Sequence, residues 1–366
     1  MCQCPPLLYS QAVQIEQSVP LAPLTTLRVG GPARYLAKIE SEADLVAAVE
    51  FARTHSLPVF VLGGGSNLVV SDAGFDGLVL QMAISGPSIV EDNAVSATYK
   101  VPAATDWNAF VLEVCTRGLS GVECLAGIPG LVGGTPVQNV GAYGQEVAET
   151  IVSVRALDLT SMHFVSLSAA ECGFAYRRSI FNSTGNSTER GRYIVTQVSF
   201  RFDPARSVQL AYADLKSHFA GKSPTPLEVY DAVRAIRHAK GMLLVEGEPD
   251  CRSAGSFFKN PVVSESQFLA LAQSLQKPPD LIPHWPAGDG KVKLAAAWLL
   301  DQAGFHKGFS LGQAGISSRH TLALINRGNA TAADILVLRD EIQHQVLRRF
   351  AISLEQEPVT LSPAGP

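Results

Sequence analysis

The stretch GIPGLVGGTPVQNVGAYG, Gly127–Gly144, contains six glycines in eighteen residues. A segment with so few side chains cannot build a hydrophobic core. Glycine lets the backbone adopt positive φ and lets a ligand lie directly against main-chain N–H groups, which is one way that proteins hold phosphates. The stretch therefore predicts a nucleotide cofactor site, and the alternative is a glycine-rich surface loop.

A second glycine cluster favours the cofactor interpretation. The apolar run LPVFV, Leu57–Val61, is followed by three glycines and then by a serine and an asparagine, at positions 63–67. This order is typical of a buried strand that runs into a tight turn of phosphate size. Neither cluster matches G-x-G-x-x-G at the start of a helix or the P-loop pattern, so a Rossmann or kinase-like site is disfavoured.

Length and charge are those of an enzyme with more than one domain. The chain has 366 residues, 29 basic and 33 acidic, with a net charge of −4 and no lysine-rich or arginine-rich run. This composition makes nucleic acid and anionic membranes unfavourable partners. No apolar run is long enough to span a membrane, and the N-terminus lacks the pattern of a signal peptide. We expect a cytoplasmic monomer whose partner is a small molecule.

Six cysteines are scattered along the chain without a C-x-x-C pair, which argues against both a disulfide framework and a zinc site. Cys2 and Cys4 lie at the terminus, where no structural role is expected. Cys251 lies near the segment that we consider catalytic, so a reactive thiol is an open alternative there. We expect no bound metal.

Alternating hydrophobic periods predict a chain of mixed strands and helices. The predicted strands are Ala37–Ile39, Leu57–Leu62, Leu78–Gln81, Val95–Tyr99, Val152–Leu159, His163–Leu167 and Tyr193–Phe202. The predicted helices run from Ser41 to His55, Asp106 to Arg117, Thr225 to Lys240, Ser264 to Leu275, Leu294 to Ala303 and Thr331 to Arg349. Turn formers predict a domain boundary near residues 205–220, and the tail 361–366 is expected to be disordered.

Two further segments carry candidate chemistry. In RSAGSFFKNP, Arg252–Pro261, the Ser256 hydroxyl stands between a glycine and two phenylalanines, where it needs a partner or a task; the alternative is a core serine bonded to a carbonyl. No G-x-S-x-G surrounds it. In FAYRRSIF, Phe174–Phe181, Arg177 is flanked by aromatic and apolar residues, which indicates an arginine that faces an anion or forms an internal salt bridge.

Five motifs in order resemble the UDP-N-acetylenolpyruvoylglucosamine reductase family. They are GGGSNLVV, GIPGLVGGTPVQNVGAYG, FAYRRSIF, AGSFFKNP and VKLAAAWLLDQAG, and the resemblance runs from about Leu24 to Val359. It implies an α+β fold: a vanillyl-alcohol-oxidase/PCMH-type FAD-binding domain of two α/β subdomains, followed by a smaller α/β substrate domain. The implied division is a lead at 1–22, the FAD-binding domain at 23–205, the substrate domain at 206–360 and a tail at 361–366.

The resemblance also implies FAD, held noncovalently, and NADPH as the reductant. The FAD diphosphate is expected on the turn after the first apolar run, with the longer glycine stretch around the ribityl chain and ring. The implied cofactor-binding residues are Gly63, Gly64, Gly65, Ser66, Asn67, Gly130, Gly134, Gln138, Asn139, Gly141, Ala142 and Tyr143.

By the same resemblance the catalytic residues are Arg177, Ser256 and Glu357. NADPH is expected to reduce FAD, and the enolpyruvyl ether then receives hydride and is protonated by Ser256, a step of peptidoglycan precursor synthesis. Arg177 and Glu357 are expected to stabilise the negative charge that develops. Glu355 competes with Glu357 for the glutamate position, and Lys259 or Asn260 could assist the weakly acidic serine.

Substrate contacts implied by the resemblance are Tyr176, Tyr212, Lys240 and Asn260. Tyr212 is expected to close over the UDP sugar, as in the branch with a mobile tyrosine loop, and Lys240 to meet the diphosphate. The alternatives are a half-exposed aromatic ring and a charge at a helix C-terminus. The segment 238–251 is longer than in some relatives of that branch, which affects the geometry near Lys240.

Two rival functions differ in the residues they require. Another FAD-dependent oxidoreductase on the same scaffold has no reason to keep Arg177, Ser256 and Glu357 together. A catalytically inactive nucleotide-sugar binding module is expected to lose at least one of the three. All three are present.

Overall fold

A computed structural model describes residues 13–93, 95–182 and 191–366. Its strands are β1 Ile15–Pro20, β2 Pro32–Ile39, β3 Val59–Leu62, β4 Leu68–Val70, β5 Phe75–Met82, β6 Ile89–Asp92, β7 Ala97–Pro102, β8 Gly141–Ala142, β9 Gln145–Glu146, β10 Ile151–Asp158, β11 His163–Ser168, β12 Tyr193–Phe202, β13 Ser253–Ser256, β14 Val262–Ser264, β15 His284–Pro286, β16 Lys291–Leu294, β17 Ser310–Leu311, β18 Ala314–Ile316, β19 Ala323–Asn326 and β20 Val359–Leu361. Its helices are α1 Glu42–Thr54, α2 Trp107–Thr116, α3 Ala213–Phe219, α4 Pro226–Ala239, α5 Glu265–Ser274, α6 Ala296–Ala303 and α7 Ala332–Phe350. The α+β composition expected from the sequence is confirmed.

The first sheet is mostly parallel and has the order β1-β2-β5-β3. Strands β2 and β3 both pair in parallel with β5, which lies between them, and helix α1 connects them. Helix α1 begins where the sequence predicts, because the backbone N–H of Asp44 donates to the Ser41 hydroxyl. The expected opening strand, helix and strand are confirmed, but a later strand separates the two.

The second sheet is antiparallel, in the order β11-β10-β12-β7-β6, and α2 packs against it. Its core is rich in aromatic residues, with Tyr99, Trp107, Phe110, Phe200 and Phe202 almost fully buried and in mutual ring contact. The helical spacing of the apolar residues in α2 places them on this face, as the sequence predicts.

The expected domain boundary near residues 205–220 does not coincide with a break in packing. Leu215 and Phe219 of α3 and Val229 and Val233 of α4 belong to the same hydrophobic core as the second sheet. The turn formers in this region end β12, but they do not end the core, because the chain turns back and lays two helices on the same sheet.

The C-terminal part has its own core, built from two small antiparallel sheets, β13-β19-β18-β17 and β14-β16-β15, with helices α5 to α7. Leu27, Val29 and Val69 from the N-terminal part are buried in this core. The Asn326 side chain donates to the carbonyl groups of Leu27 and Arg28. The C-terminal part is therefore packed directly on the first sheet region.

Both chain ends differ from expectation. Strand β1 lies within the predicted polar lead 1–22 and pairs antiparallel with β2. At the other end, β20 pairs in parallel with β4, and Leu361 is fully buried. The tail 361–366 was expected to be disordered, yet Ser362 and Gly365 form a hydrogen-bonded turn, and the Asp76 N–H donates to the Pro363 carbonyl. Cys2 and Cys4 lie outside the described residues.

Helix α7 is capped from two directions. Thr331 accepts the backbone N–H of Asp334, as the predicted pair requires, and the two carboxylate oxygens of Asp72 accept the N–H groups of Ala332 and Ala333 at 2.8 and 2.9 Å. Asp72 follows β4, so the cap joins the N-terminal and C-terminal parts. Within the described residues, no helix is both long and apolar enough to cross a membrane.

We predict that Asp72→Ala lowers the free energy of unfolding by about 1 kcal/mol, because two helix N–H groups lose their acceptors. Guanidinium chloride unfolding followed by tryptophan fluorescence measures the change. The matched control is Asp280→Ala, which removes an exposed aspartate. An equal effect in both variants would show that the Asp72 cap contributes nothing specific.

Candidate active site

The turn Gly63–Asn67 follows directly from β3, at the C-terminal end of the parallel strands. In open α/β sheets this edge is where ligands bind. None of the backbone N–H groups of residues 63–67 donates a hydrogen bond to an acceptor in the described parts of the chain. Five neighbouring amides without partners are the donor set that an anion requires.

The two glycine segments contact each other at this turn. A Cβ atom on Gly64 would lie 2.8 Å from the Cα atom of Gly130, so only glycine permits the approach. The Ser66 hydroxyl donates to the Pro129 carbonyl at 2.9 Å. By contrast, a Cβ atom on Gly63 would meet nothing closer than 4.0 Å and one on Gly134 nothing at all, so the backbone is open at both positions. The free N–H groups of residues 63–67, beside open backbone, fit the diphosphate of a dinucleotide.

Asn67 connects the turn to two other segments. Its side-chain N–H donates to Gln138 Oε1 at 2.9 Å and also lies 3.5 Å from the Glu357 carbonyl oxygen. Its own carbonyl accepts the N–H of Val359 at 3.0 Å. The predicted cofactor residues Asn67 and Gln138 thus also position the chain next to Glu357.

Asn139, another predicted cofactor residue, is held by the protein itself. It is almost fully buried, and its side chain bonds to Glu146 Oε2, to the Ala175 carbonyl and to the Ala148 N–H. Both N–H groups of its amide are engaged, and its contact with the cofactor stays a prediction. These bonds fasten the glycine stretch to the segment that carries Arg177.

Arg177 and Glu357 form an ion pair across 180 residues of sequence. The Nε–Oε1 distance is 3.0 Å, and only 19% and 14% of the two side chains are exposed. A second guanidinium N–H donates to the Gly141 carbonyl at 2.7 Å. Burial raises the pKa of Glu357, and the Arg177 cation opposes that change. The internal salt bridge left open by the sequence is therefore present, beside the glycine stretch.

Of the two competing glutamates, Glu357 contacts Arg177 and Glu355 does not. The Glu355 carboxylate is 72% exposed and pairs with Lys259. The backbones of residues 257–259 and 355–357 run antiparallel, with the Lys259 N–H on the Glu355 carbonyl and the Glu357 N–H on the Phe257 carbonyl. The Lys259 ammonium group pairs with Glu355, and its assistance of Ser256 stays a prediction.

Ser256 ends β13 and pairs with Ala323 of β19. It is half-buried beside Phe257 and Phe258, which are almost fully buried. Among the described residues its hydroxyl has no hydrogen-bond partner, so the core-serine alternative is not what the structure contains. Because the Phe257 carbonyl accepts the Glu357 N–H, the serine lies one residue from the strand contact that holds Glu357.

Tyr176 and Asn260 lie close together, and the Arg177 guanidinium is 5.4 Å from the Tyr176 ring centre. Burial raises the pKa of the Tyr176 hydroxyl. The Asn260 side-chain oxygen accepts the Ala296 N–H at the start of α6, so this part of the side chain is not free for a ligand. The Lys293 ammonium lies 5.0 Å from the Tyr176 ring centre, a cation–π distance.

Tyr212 and Lys240 meet Tyr143 of the glycine stretch. The two tyrosine rings are in edge contact with centres 5.3 Å apart, and the Lys240 ammonium lies 5.9 Å from each. Lys240 ends α4 and pairs with Asp214. Two of the four predicted substrate residues, Tyr212 and Lys240, therefore form a second cluster, separate from Tyr176 and the Arg177–Glu357 pair.

The four cysteines in the described residues are free thiols. Cys251 is a free, half-buried thiol, and the pKa values of Cys124 and Cys172 are raised by burial to about 12. Within the described ranges, no group of three or more His, Cys, Asp or Glu side chains could hold a metal ion.

Sequence reasoning missed three residues that line these clusters: Asp214, Arg237 and Lys293. Arg237 comes three residues before Lys240 at the end of α4, so helical spacing could have indicated it. Asp214 comes two residues after Tyr212, a spacing that places no two helical side chains on one face, so no local signal indicated it. Lys293 sits in a small antiparallel sheet whose pairing no local pattern predicts.

Family models match both ends of the chain. Residues 33–163 match the FAD binding domain, and residues 248–361 match the C-terminal domain of UDP-N-acetylenolpyruvoylglucosamine reductase. The second match begins after α4, in agreement with the packing of that helix in the core of the second sheet.

Curated relatives match over nearly the whole chain. The UDP-N-acetylenolpyruvoylglucosamine reductase of Thermobifida fusca is 45% identical over 352 residues, covering 94% of this chain and 97% of the relative. That of Streptomyces coelicolor is 42% identical over 366 residues, covering 97% and 92%.

A solved structure agrees. The UDP-N-acetylenolpyruvylglucosamine reductase of Thermus caldophilus superposes with a TM-score of 0.63 at 28% identity, covering 95% of this chain and 99% of that chain. With its glycine turn, its buried arginine–glutamate pair and these full-length relatives, the chain belongs to the UDP-N-acetylenolpyruvoylglucosamine reductase family.

Proposed function

We propose that this chain is an FAD-dependent oxidoreductase that reduces UDP-N-acetylglucosamine enolpyruvate to UDP-N-acetylmuramate with NADPH, in peptidoglycan precursor synthesis. The observation that carries the proposal is the buried ion pair of Arg177 and Glu357, next to the unpartnered hydroxyl of Ser256 and to two open glycine segments. Full-length relatives named for this reaction support it.

The glycine segments hold the cofactor. The free N–H groups of Gly63–Asn67 receive the FAD diphosphate, and Gly130, Gly134, Gly141, Ala142 and Tyr143 border the rest of the molecule. FAD, when bound, supplies the hydride. Neither Gly63–Asn67 nor Gly127–Gly144 contains a histidine or cysteine to which flavin could be attached, which supports noncovalent binding.

Arg177 stabilises the charge that develops on the substrate carboxylate after hydride addition. Its guanidinium is held by Glu357 and by the Gly141 carbonyl, so it does not have to reorganise during the reaction. Burial strengthens the interaction, because the local dielectric constant is lower than in water.

Ser256 delivers the proton that completes the lactyl ether. A hydroxyl is a weak acid, so its proton must leave as negative charge builds on the substrate carbon. Because the Ser256 hydroxyl has no partner in the described parts of the chain, it is free to point at a substrate.

The substrate contacts Tyr176, Tyr212, Lys240 and the amide N–H₂ of Asn260, with Tyr212 over the UDP sugar and Lys240 at the diphosphate. Packing supports a division in which residues from about 248 onward form the substrate-binding part. Tyr212 and Lys240 are contributed by the ends of α3 and α4, which pack in the core of the second sheet. We further propose that the protein acts as a monomer in the cytoplasm, on a small molecule and without nucleic acid.

The proposed function predicts two separable half-reactions. Purified protein should show flavin absorbance that NADPH bleaches under anaerobic conditions, and the enolpyruvyl sugar should restore it because electrons pass to the substrate. Visible absorbance in an anaerobic cuvette measures both steps. Flavin that only oxygen reoxidises would indicate another flavin oxidoreductase, and UDP-sugar binding without turnover would indicate an inactive binding module.

Ser256→Ala should leave the reduction of FAD by NADPH nearly intact and slow reoxidation by the enolpyruvyl sugar by about 100-fold or more, because the proton is needed only in the second half-reaction. Stopped-flow absorbance separates the steps. Ser266→Ala, on the exposed face of α5, is the control. Loss of the first half-reaction in Ser256→Ala would mean that the serine is structural.

Glu357→Gln should slow reoxidation by about 100-fold, because Arg177 loses the ion-pair partner that holds its guanidinium where negative charge develops on the substrate. Glu355→Gln, which removes the exposed carboxylate that pairs with Lys259, should change the rate less than about twofold. The same stopped-flow assay compares them. A larger effect in Glu355→Gln would reverse the assignment of the two glutamates.

A further inference from the structure

The cluster of Tyr143, Tyr212, Lys240 and Asp214 contains a carboxylate that the proposed function does not use. Asp214 Oδ2 lies 2.5 Å from Lys240 Nζ. The ammonium group lies at cation–π distance from both tyrosine rings, which contact each other edge to face. Lys240 is thus presented by two aromatic rings and neutralised by a single aspartate.

Positive charge exceeds negative charge in this cluster. The Arg237 side chain is nearly buried and lies near Tyr143. Its hydrogen-bond partners are the carbonyl oxygens of Gly127 and Met242, at 3.1 and 2.7 Å. In the described residues no carboxylate pairs with Arg237. The surroundings of Tyr143 therefore contain two cations, Lys240 and Arg237, and one carboxylate, that of Asp214, and this excess of positive charge favours an anion.

The Lys240–Asp214 pair can be displaced. Its side chains are 39% and 43% exposed, and an exposed ion pair contributes little to stability because water and salt screen it. A phosphate group carries more negative charge and more acceptor oxygens than a carboxylate, so it competes well for the same ammonium group.

Asp214 lies on the same short segment of chain as Tyr212. It lies in the first turn of α3, two residues after Tyr212, and the preceding Ala211 packs on Gly144, where a Cβ atom would approach the Ala211 Cβ to 2.7 Å. When an anion displaces the Asp214 carboxylate from Lys240, the displaced group lies on the same short segment as Tyr212.

We propose that, in the ligand-free protein, the Asp214 carboxylate occupies the place of a ligand phosphate at Lys240 and thereby lowers the affinity for a nucleoside diphosphate. The inference deepens the proposed function and rests on its assignment of Lys240 to the diphosphate. Asp214 is in this view a residue that sets affinity, and it takes no part in hydride or proton transfer.

The test is the binding of UDP to the full-length protein with FAD bound, measured by isothermal titration calorimetry at constant salt. Asp214→Asn should bind UDP tighter by about twofold to fivefold, the range that an exposed ion pair accounts for. Asp231→Asn, which removes an exposed acid from α4, controls for the change in net charge and should leave the affinity unchanged. Inorganic pyrophosphate as a second probe should show the same gain if the phosphates carry the effect.

A double-mutant cycle makes the test specific to Lys240. In a Lys240→Gln background the Asp214→Asn change should no longer tighten UDP binding, because the competed cation is gone. Equal or weaker UDP binding by Asp214→Asn in the wild-type background overturns the inference, as does a gain that persists without Lys240. Absence of UDP binding by the unmodified protein overturns the substrate assignment itself, whereas binding with no gain overturns only the role of Asp214.

Discussion

The ion pair of Arg177 and Glu357 is the interaction on which the arrangement of this molecule depends. Glu357 comes from the last segment of the chain and Arg177 from the middle part, and the guanidinium also bonds to Gly141 in the glycine stretch. Asn67, from the turn after β3, contacts the Glu357 carbonyl and accepts the N–H of Val359. A buried charge needs its partner, so these four segments have to meet at one place.

That constraint explains why the C-terminal part is fastened to the N-terminal part so extensively. Strand β20 adds to β4, Asp72 caps α7, and Leu27 and Val69 are buried in the C-terminal core. Each contact lies near the turn Gly63–Asn67. The position of Glu357 relative to the cofactor turn is therefore held by backbone pairing, a helix cap and apolar packing together, rather than by the ion pair alone.

Local patterns predicted most elements correctly. The caps at Ser41, Thr225 and Thr331 and the period of Tyr193–Phe202 act within a few residues, so sequence reports them directly. The boundary near 205–220 stays a prediction: the turn formers there end β12, and the helices that follow pack in the same core as the second sheet. Strand β1 and the tail were missed because their order comes from pairing with distant strands.

The sequence by itself determined the glycine turns, the helix starts and, through five motifs, the family, because these depend on residue types at short spacing. Only the tertiary structure decided which glutamate meets Arg177, that the buried Asn139 side chain bonds to Glu146, and that Asp214 pairs with Lys240. Those facts rest on contacts between residues far apart in the chain, whose distances are set by how the sheets pack. No spacing along the chain encodes them.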